Sequence, residues 1–365
     1  MIDGAPPRVL ITGGAGFVGA NLAARLAERG VAVRILDSLT RCGSEDNLKW
    51  LMERFEPRIE FMRGDVRDQH AVQAAVASAD HIFHLAAQVA VTTSLVDPRE
   101  DFDVNASGTL NVLEAARCCA RPPSIVFSST NKVYGSLSDV KLGVSGARYE
   151  PLDEHIRTHG IGETRPLEFH SPYGCSKGSA EQYVLDYARS FGLRSVVLRM
   201  SCIYGPHQHG NEDQGWVAHF LIRTLSGEAI TIYGDGMQVR DVLFVGDLID
   251  AFETAWRSVD ELSGRAFNIG GGVSNAVSLH ELIDRIELMT GRAVARSFES
   301  WRTGDQRYYV TDTSAFSAAT GWRPKTSVRN GLAALAEWLQ EHAAQASLPS
   351  SRTPPGERTV VGIQP

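Results

Sequence analysis

Tyr173 and Lys177 stand four residues apart in SPYGCSKG (171–178), at the head of a stretch with helical spacing. That spacing puts phenol and ammonium on one face of a helix. An ammonium beside a phenol lowers the phenol's pKa and makes it a base for a hydroxyl proton. Alone, the pair reads more plainly as a core aromatic and a snorkelling cation. Upstream, SSTNKVYG (128–135) closes an apolar run with hydroxyls. Ser129 or Thr130 there could hold a substrate OH at the carboxyl end of a strand. Together the groups would move the proton of an alcohol undergoing oxidation.

A second constellation says what would take the hydrogen. GGAGFVG (13–19) contains Gly14-x-Gly16-x-x-Gly19 and also Gly13-x-x-Gly16-x-x-Gly19, between an apolar run and a helical stretch. Missing Cβ atoms let such a loop turn tightly and approach a pyrophosphate at the helix N-terminus. Gly13, Gly16, Phe17, Val18 and Gly19 are the expected contacts. Asp37 ends the next strand, where it would accept hydrogen bonds from an adenosine ribose and repel a 2′-phosphate. This favours NAD over NADP, with Arg34 and Arg41 close enough in sequence to weaken the preference. Asp65 and Val66 close the third strand. Asp65 either meets the adenine edge or caps the helix that follows.

The elements that must position these groups alternate along the chain. Short apolar runs at 9–12, 31–37, 59–62, 81–85, 124–129 and 195–200 read as strands. Helical spacing occupies 18–29, 69–78, 104–119 and 173–190 between them. The pattern predicts an α/β fold: a Rossmann-type doubly wound parallel sheet, with a smaller mixed α/β C-terminal part for substrate. The expected organisation is a flexible start (1–7), an NAD-binding unit (8–200) and an interleaved substrate-binding part (201–345). Residues 136–170 lack periodicity and read as an insertion near the site. In the C-terminal part RAFNIGG (265–271) and helices at 278–291 and 330–339 stand out. The Pro- and Ser-rich segment 346–365 reads as a disordered tail.

Composition narrows the function. A formal net charge of -7 over 365 residues gives no electrostatic footing for nucleic acid or anionic membranes. No apolar run reaches the roughly 20 residues of a membrane span. Five scattered cysteines without a CxxC pair fit reduced thiols, hence a cytoplasmic protein. His207 and His209, in PHQHGNEDQGW, have no third ligand at suitable spacing, so no metal is expected. They read as part of a loop closing over a ligand. Cys175 reads as a small buried residue. Gln88 and Thr92–Thr93 either line a substrate pocket or bond only to backbone, and Asn105 reads as a buried structural contact.

GGAGFVG, Asp37, HLAAQ (84–88), SST with YGCSK, and RDVLFVGDL (240–248) together resemble the extended short-chain dehydrogenase/reductases that act on nucleotide sugars. The resemblance runs from about residue 8 to 340. Within that family DSLTRCGSEDNLKWL, HLAAQVAVTTS, SSTNKVYG, FHSPYGCSKG, DQGWVAHF and GDQRYYVTD are similar to CDP-tyvelose (CDP-paratose) 2-epimerases. The resemblance implies catalytic roles for Thr130, Tyr173 and Lys177. It puts Leu85, Ala86, Ala87 and Gln88 with the cofactor, and Gln88, Thr130, Asn131, Arg240 and Arg302 with the substrate. It implies a homo-oligomer, paired through the 104–119 and 173–190 helices.

The activity so implied is NAD-dependent 2-epimerisation of a CDP-linked hexose such as CDP-paratose. It would pass through a 2-keto sugar, with hydride returned to the opposite face. A UDP- or GDP-sugar 4-epimerase and a net nucleotide-sugar oxidoreductase are the alternatives. Related 4,6-dehydratases carry an Asp-Glu pair after the Thr; Asn131 and Lys132 occupy those places here, which argues against dehydration.

Overall fold

The computed structural model describes residues 7–302 and 304–346. The expected start (1–7) lies outside these except for residue 7, and the expected tail (346–365) except for residue 346. Seven parallel strands form the main sheet, in the order Arg265–Ile269, Ser195–Met200, Ser124–Thr130, His81–His84, Arg8–Thr12, Ala32–Asp37, Ile59–Arg63. The six strands read from apolar runs are all present. Their central residues are mostly apolar because both faces are covered, and every residue of Ser124–Thr130 is buried.

Two apolar cores sandwich the sheet. One is filled by helices Phe17–Glu28, Ser44–Phe55 and Val245–Arg257, through residues such as Leu22, Leu51 and Phe252. The other is filled by Gln69–Val76, Gly108–Arg117 and Ser171–Phe191, through Val72, Leu113 and Val184. Chain order reverses at Arg8–Thr12, whose neighbours are Ala32–Asp37 and His81–His84. The crevice beyond the carboxyl ends of this switch point is where such sheets take ligands.

The expected helix 104–119 has a π turn at its start, Asp103–Ser107, before the α-helix Gly108–Arg117. That turn carries Asn105, fully buried and bonded to Gln88, Asp101 and Ser176. Residues 136–170, expected as irregular, hold an antiparallel hairpin, Leu142–Ser145 with Arg148–Pro151, and a short helix, Glu154–His159. Periodicity is too short to be read in elements of four to six residues.

The C-terminal part is built on Val239–Phe244. That strand pairs antiparallel with Ala276–Ser278 and parallel with Tyr308–Tyr309 and Cys202–Tyr204. It leads directly into Val245–Arg257, which packs on the main sheet. The helix read at 278–291 runs Leu279–Thr290. Ser278 and Glu281 form its capping box and left-handed Gly291 ends it.

Candidate active site

The glycine loop folds as its spacing requires. Gly13 has φ +70° at the switch point, and a Cβ on it would lie 2.7 Å from the Ala86 nitrogen. A Cβ on Gly19 would lie 2.3 Å from the Gly13 carbonyl oxygen. No side chain caps the helix Phe17–Glu28, so its first N–H groups face outward unclaimed. A cavity of about 470 Å³ opens there. All the expected cofactor contacts line it: Gly13, Gly16, Phe17, Val18, Gly19, Asp37, Asp65, Val66, Leu85, Ala86, Ala87, Gln88, Tyr173 and Lys177. A bare helix N-terminus, close backbone approach and a carboxylate at the next strand end fit a dinucleotide.

The two acids differ in their commitments. Asp37 accepts the Ala15 and Leu39 N–H groups, each at 2.9 Å, and so ties the glycine loop to its strand. Asp65 binds Arg67 at 2.7 and 3.0 Å, and this pair holds its carboxyl below the usual range. It caps no helix; Asp68 caps Gln69–Val76 instead.

A second cavity, of about 410 Å³, lies beside the first. Thr130, Asn131, Arg240 and Arg302 line it. Arg240 is buried, donating to Asp305 at 2.6 Å and to the Gln306 carbonyl. Arg302 lies 3.8 Å above the Tyr233 ring and 3.4 Å from Asp213. Gln88, expected also with the substrate, does not reach this cavity. Its amide is folded onto Ala90, donating to the carbonyl at 2.9 Å and accepting the N–H at 2.5 Å. Lys132 joins the wall, with Nζ 4.0 Å from Asp305. Asp305 thus sits between two cations.

Tyr173 lines both cavities, Lys177 only the first and Thr130 only the second. Of the two candidate hydroxyls Thr130 is the one facing the second cavity alone, because Ser129 donates to Glu181 at 2.7 Å. Glu181 in turn pairs with Arg199, both buried, which clamps the end of the strand under the site.

The spacing of Tyr173 and Lys177 predicts a depressed phenol, and here the structure corrects it. Burial dominates and pushes Tyr173 up to about 12, with the Thr130 hydroxyl pulling it down and Asp101 pushing it further up. Lys177 does not act on it directly: Nζ donates to the Ser128 carbonyl at 2.6 Å and lies 4.2 Å above the Phe127 ring. Burial lowers the Lys177 ammonium to about 7 against the pull of Glu181 and Asp101. Cys175, expected to be buried, is exposed on its helix.

Several groups at the site have no local signature. Asp101, wholly buried, accepts from Ser176 at 2.5 Å and Asn105 at 3.2 Å, beneath Tyr173 and Lys177. Residues 207–209, 214 and 215 line the first cavity, and 208 with 212–215 the second. This loop is pinned where Arg41 donates to Gln214 at 3.0 Å. Only the expectation of a closing loop around His207 and His209 anticipated it.

Known proteins resemble this chain in sequence and fold. The pattern of the NAD dependent epimerase/dehydratase family matches residues 9–270. The CDP-paratose 2-epimerase of Salmonella typhi is 42% identical over 338 residues, covering 91% of this chain and 98% of that protein. The crystal structure of the Thermus thermophilus UDP-glucose 4-epimerase in complex with NAD is 33% identical, with a TM-score of 0.77. It covers 91% of this chain and 99% of that one. The dTDP-glucose 4,6-dehydratase DesIV of Streptomyces venezuelae, with NAD and TYD bound, has a TM-score of 0.78 at 28% identity, covering 93% and 98%.

Proposed function

Since this chain belongs to the NAD dependent epimerase/dehydratase family and is an NAD-dependent nucleotide-sugar epimerase, we propose that it inverts C2 of a CDP-linked deoxyhexose of the CDP-paratose type. One observation carries the reading: Tyr173 is a wall common to the dinucleotide-shaped cavity and the arginine-lined one. NAD, when bound, supplies an acceptor that takes the hydrogen of the sugar carbon and later gives it back.

The Tyr173 oxygen takes the proton of the C2 hydroxyl as that carbon is oxidised. It returns the proton when the carbon is reduced on its other face, so atoms balance and there is no net redox. Thr130 holds the same hydroxyl, and Lys177, on the cofactor side of the phenol, is anchored by donating to the Ser128 carbonyl. Arg240 and Arg302 grip the diphosphate with charge-assisted bonds, leaving the sugar free to turn between two faces. C2 of an unoxidised sugar has no adjacent carbonyl, so its C–H is a poor acid and oxidation is the accessible route. Asn131 and Lys132 offer no acid pair for eliminating water.

Thr130→Val tests the proton arrangement. The base must be ionised, so the rate climbs as pH rises through the Tyr173 pKa. Thr130 lowers that pKa. Its loss should lower kcat/KM at a fixed pH below that pKa by about 10–100-fold, the equivalent of one charge-assisted hydrogen bond. An unchanged kcat/KM would leave Thr130 a packing role.

The whole reading is tested by incubating the enzyme with CDP-, UDP- and GDP-hexoses in deuterated water and following C2 and C4 by NMR. Inversion at C2 of a CDP-sugar without solvent deuterium is the expected result. Inversion at C4, reduced cofactor accumulating with product, or deuterium at the inverted carbon would each replace it.

A homo-oligomer is the proposed assembly. It is supported by exposed Tyr183 and Phe191 on the helix Ser171–Phe191 and by exposed Phe102. All five cysteines are free thiols, in keeping with a cytoplasmic setting. No helix among the described residues is long and apolar enough to cross a membrane.

A further inference from the structure

Sequence spacing offers His207 and His209 no third ligand, but the fold gives His209 two partners from elsewhere in the chain, with His207 taking no part. His209 meets Asp46, in the first turn of Ser44–Phe55, and His342, near the end of Val328–Ala346. One donor atom from each lies within 4.8 Å of the other two. Tertiary packing alone joins these three distant segments, and the surroundings orient the rings. Gly43 makes room for His209: a Cβ there would lie 2.1 Å from its ring. Trp338 meets the His209 ring edge-on at 5.8 Å and stacks on His342 at 5.2 Å. The His209 Nε2 is enclosed, yet it has no hydrogen-bond partner. An enclosed ring nitrogen without a partner calls for an explanation, and an ion is one.

We propose that Asp46, His209 and His342 bind a divalent transition-metal ion of the zinc class. Two neutral imidazoles and a carboxylate are a donor set zinc accepts, with water in the fourth position. Tetrahedral bonds of about 2.0–2.1 Å put donors about 3.4 Å apart. Asp46 and His342 are exposed, so side-chain rotation closes the remaining gap. The ion touches no reacting atom. It ties the loop 207–215, a wall of both cavities, to the helix carrying Asp46. The next residue, Asn47, already donates to the His207 and Ala15 carbonyls at 3.2 Å each. The site is therefore a clip on the loop that covers the dinucleotide.

Full-length protein without a histidine tag is stripped with EDTA, exposed to zinc chloride, desalted and assayed for metal. About one zinc retained per chain, a higher thermal midpoint with zinc, and severalfold slower dinucleotide release are the expected results. Cobalt in its place should give the visible absorption of a four-coordinate ion. His342→Gln, with unchanged circular dichroism and an unchanged midpoint in EDTA, should retain no zinc and show no zinc-dependent shift. His209→Phe, which keeps the aromatic packing, should behave alike. Failure of the parent protein to retain zinc overturns the proposal. So does equal retention by His342→Gln, which would assign the metal to thiols.

Discussion

Tyr173→Phe is expected to lower epimerisation by about 10²–10⁴-fold, the usual contribution of a positioned acid-base group. The substitution removes one oxygen and leaves the ring, which is 8% exposed and packed between the two cavities. No neighbouring hydroxyl can replace it: Ser128 donates to the His84 carbonyl at 3.1 Å and Ser129 to Glu181. Thr130 faces the substrate side alone, away from the cofactor cavity, and its oxygen already accepts the Lys132 N–H at 3.2 Å. Because the glycine loop and Asp37 are untouched, dinucleotide content after desalting should equal that of the parent. Turnover within tenfold of the parent would remove Tyr173 from its assigned role. Lost dinucleotide with normal turnover of re-supplied cofactor would make it a binding residue instead.

The second large effect is expected at Gly13→Ala. The backbone there has φ +70°, costly for any residue with a Cβ by about 1–2 kcal/mol. The added carbon would also lie 2.7 Å from the Ala86 nitrogen and 2.8 Å from its Cα, so backbone on one side must move. The movement falls where a pyrophosphate would lie against the loop. Saturating NAD, at about 100 times its Kd, adds about 2.7 kcal/mol to a folded protein that binds it. The variant should show no NAD-dependent rise in thermal midpoint at that concentration. Gly146→Ala is the control. Its φ is +60°, in a hairpin turn with nothing within 4 Å, so it carries backbone strain without the clash. A normal NAD shift in Gly13→Ala would show that the loop does not approach the cofactor closely.

The parts of the fold legible in the chain are those whose signal is local. Apolar runs such as Ile125–Phe127 within the strand Ser124–Thr130, the glycine loop, the Ser278 capping box and the Tyr173–Lys177 spacing each occupy a few consecutive residues. The cofactor cavity is therefore readable almost residue by residue. What is not readable depends on distance. The Asp101–Ser176 contact spans 75 positions, Arg41–Gln214 spans 173, and Lys132 shares Asp305 with Arg240 across a similar stretch. The direction of the Tyr173 shift escapes the sequence for the same reason. Helical spacing reports which side chains share a face. It says nothing of how much protein lies over them, and here that overburden outweighs the pull of Thr130 and Arg41, while Lys177 turns to the Ser128 carbonyl. Gln88, read also as a sugar contact, lines the cofactor cavity alone, and its amide turns to Ala90.

The seventh strand of the main sheet, Arg265–Ile269, comes from beyond Val239–Phe244, and the helix joining the halves lies under that same sheet. A gene fragment stopped near residue 200 would thus strip Ser195–Met200 of its outer partner and bare the apolar floor that Phe252 covers. The two halves are therefore expected to unfold in a single transition. Nature and the engineer face the same restriction: a new sugar preference has to arise by substitution within the walls, because the substrate half cannot be exchanged as a cassette.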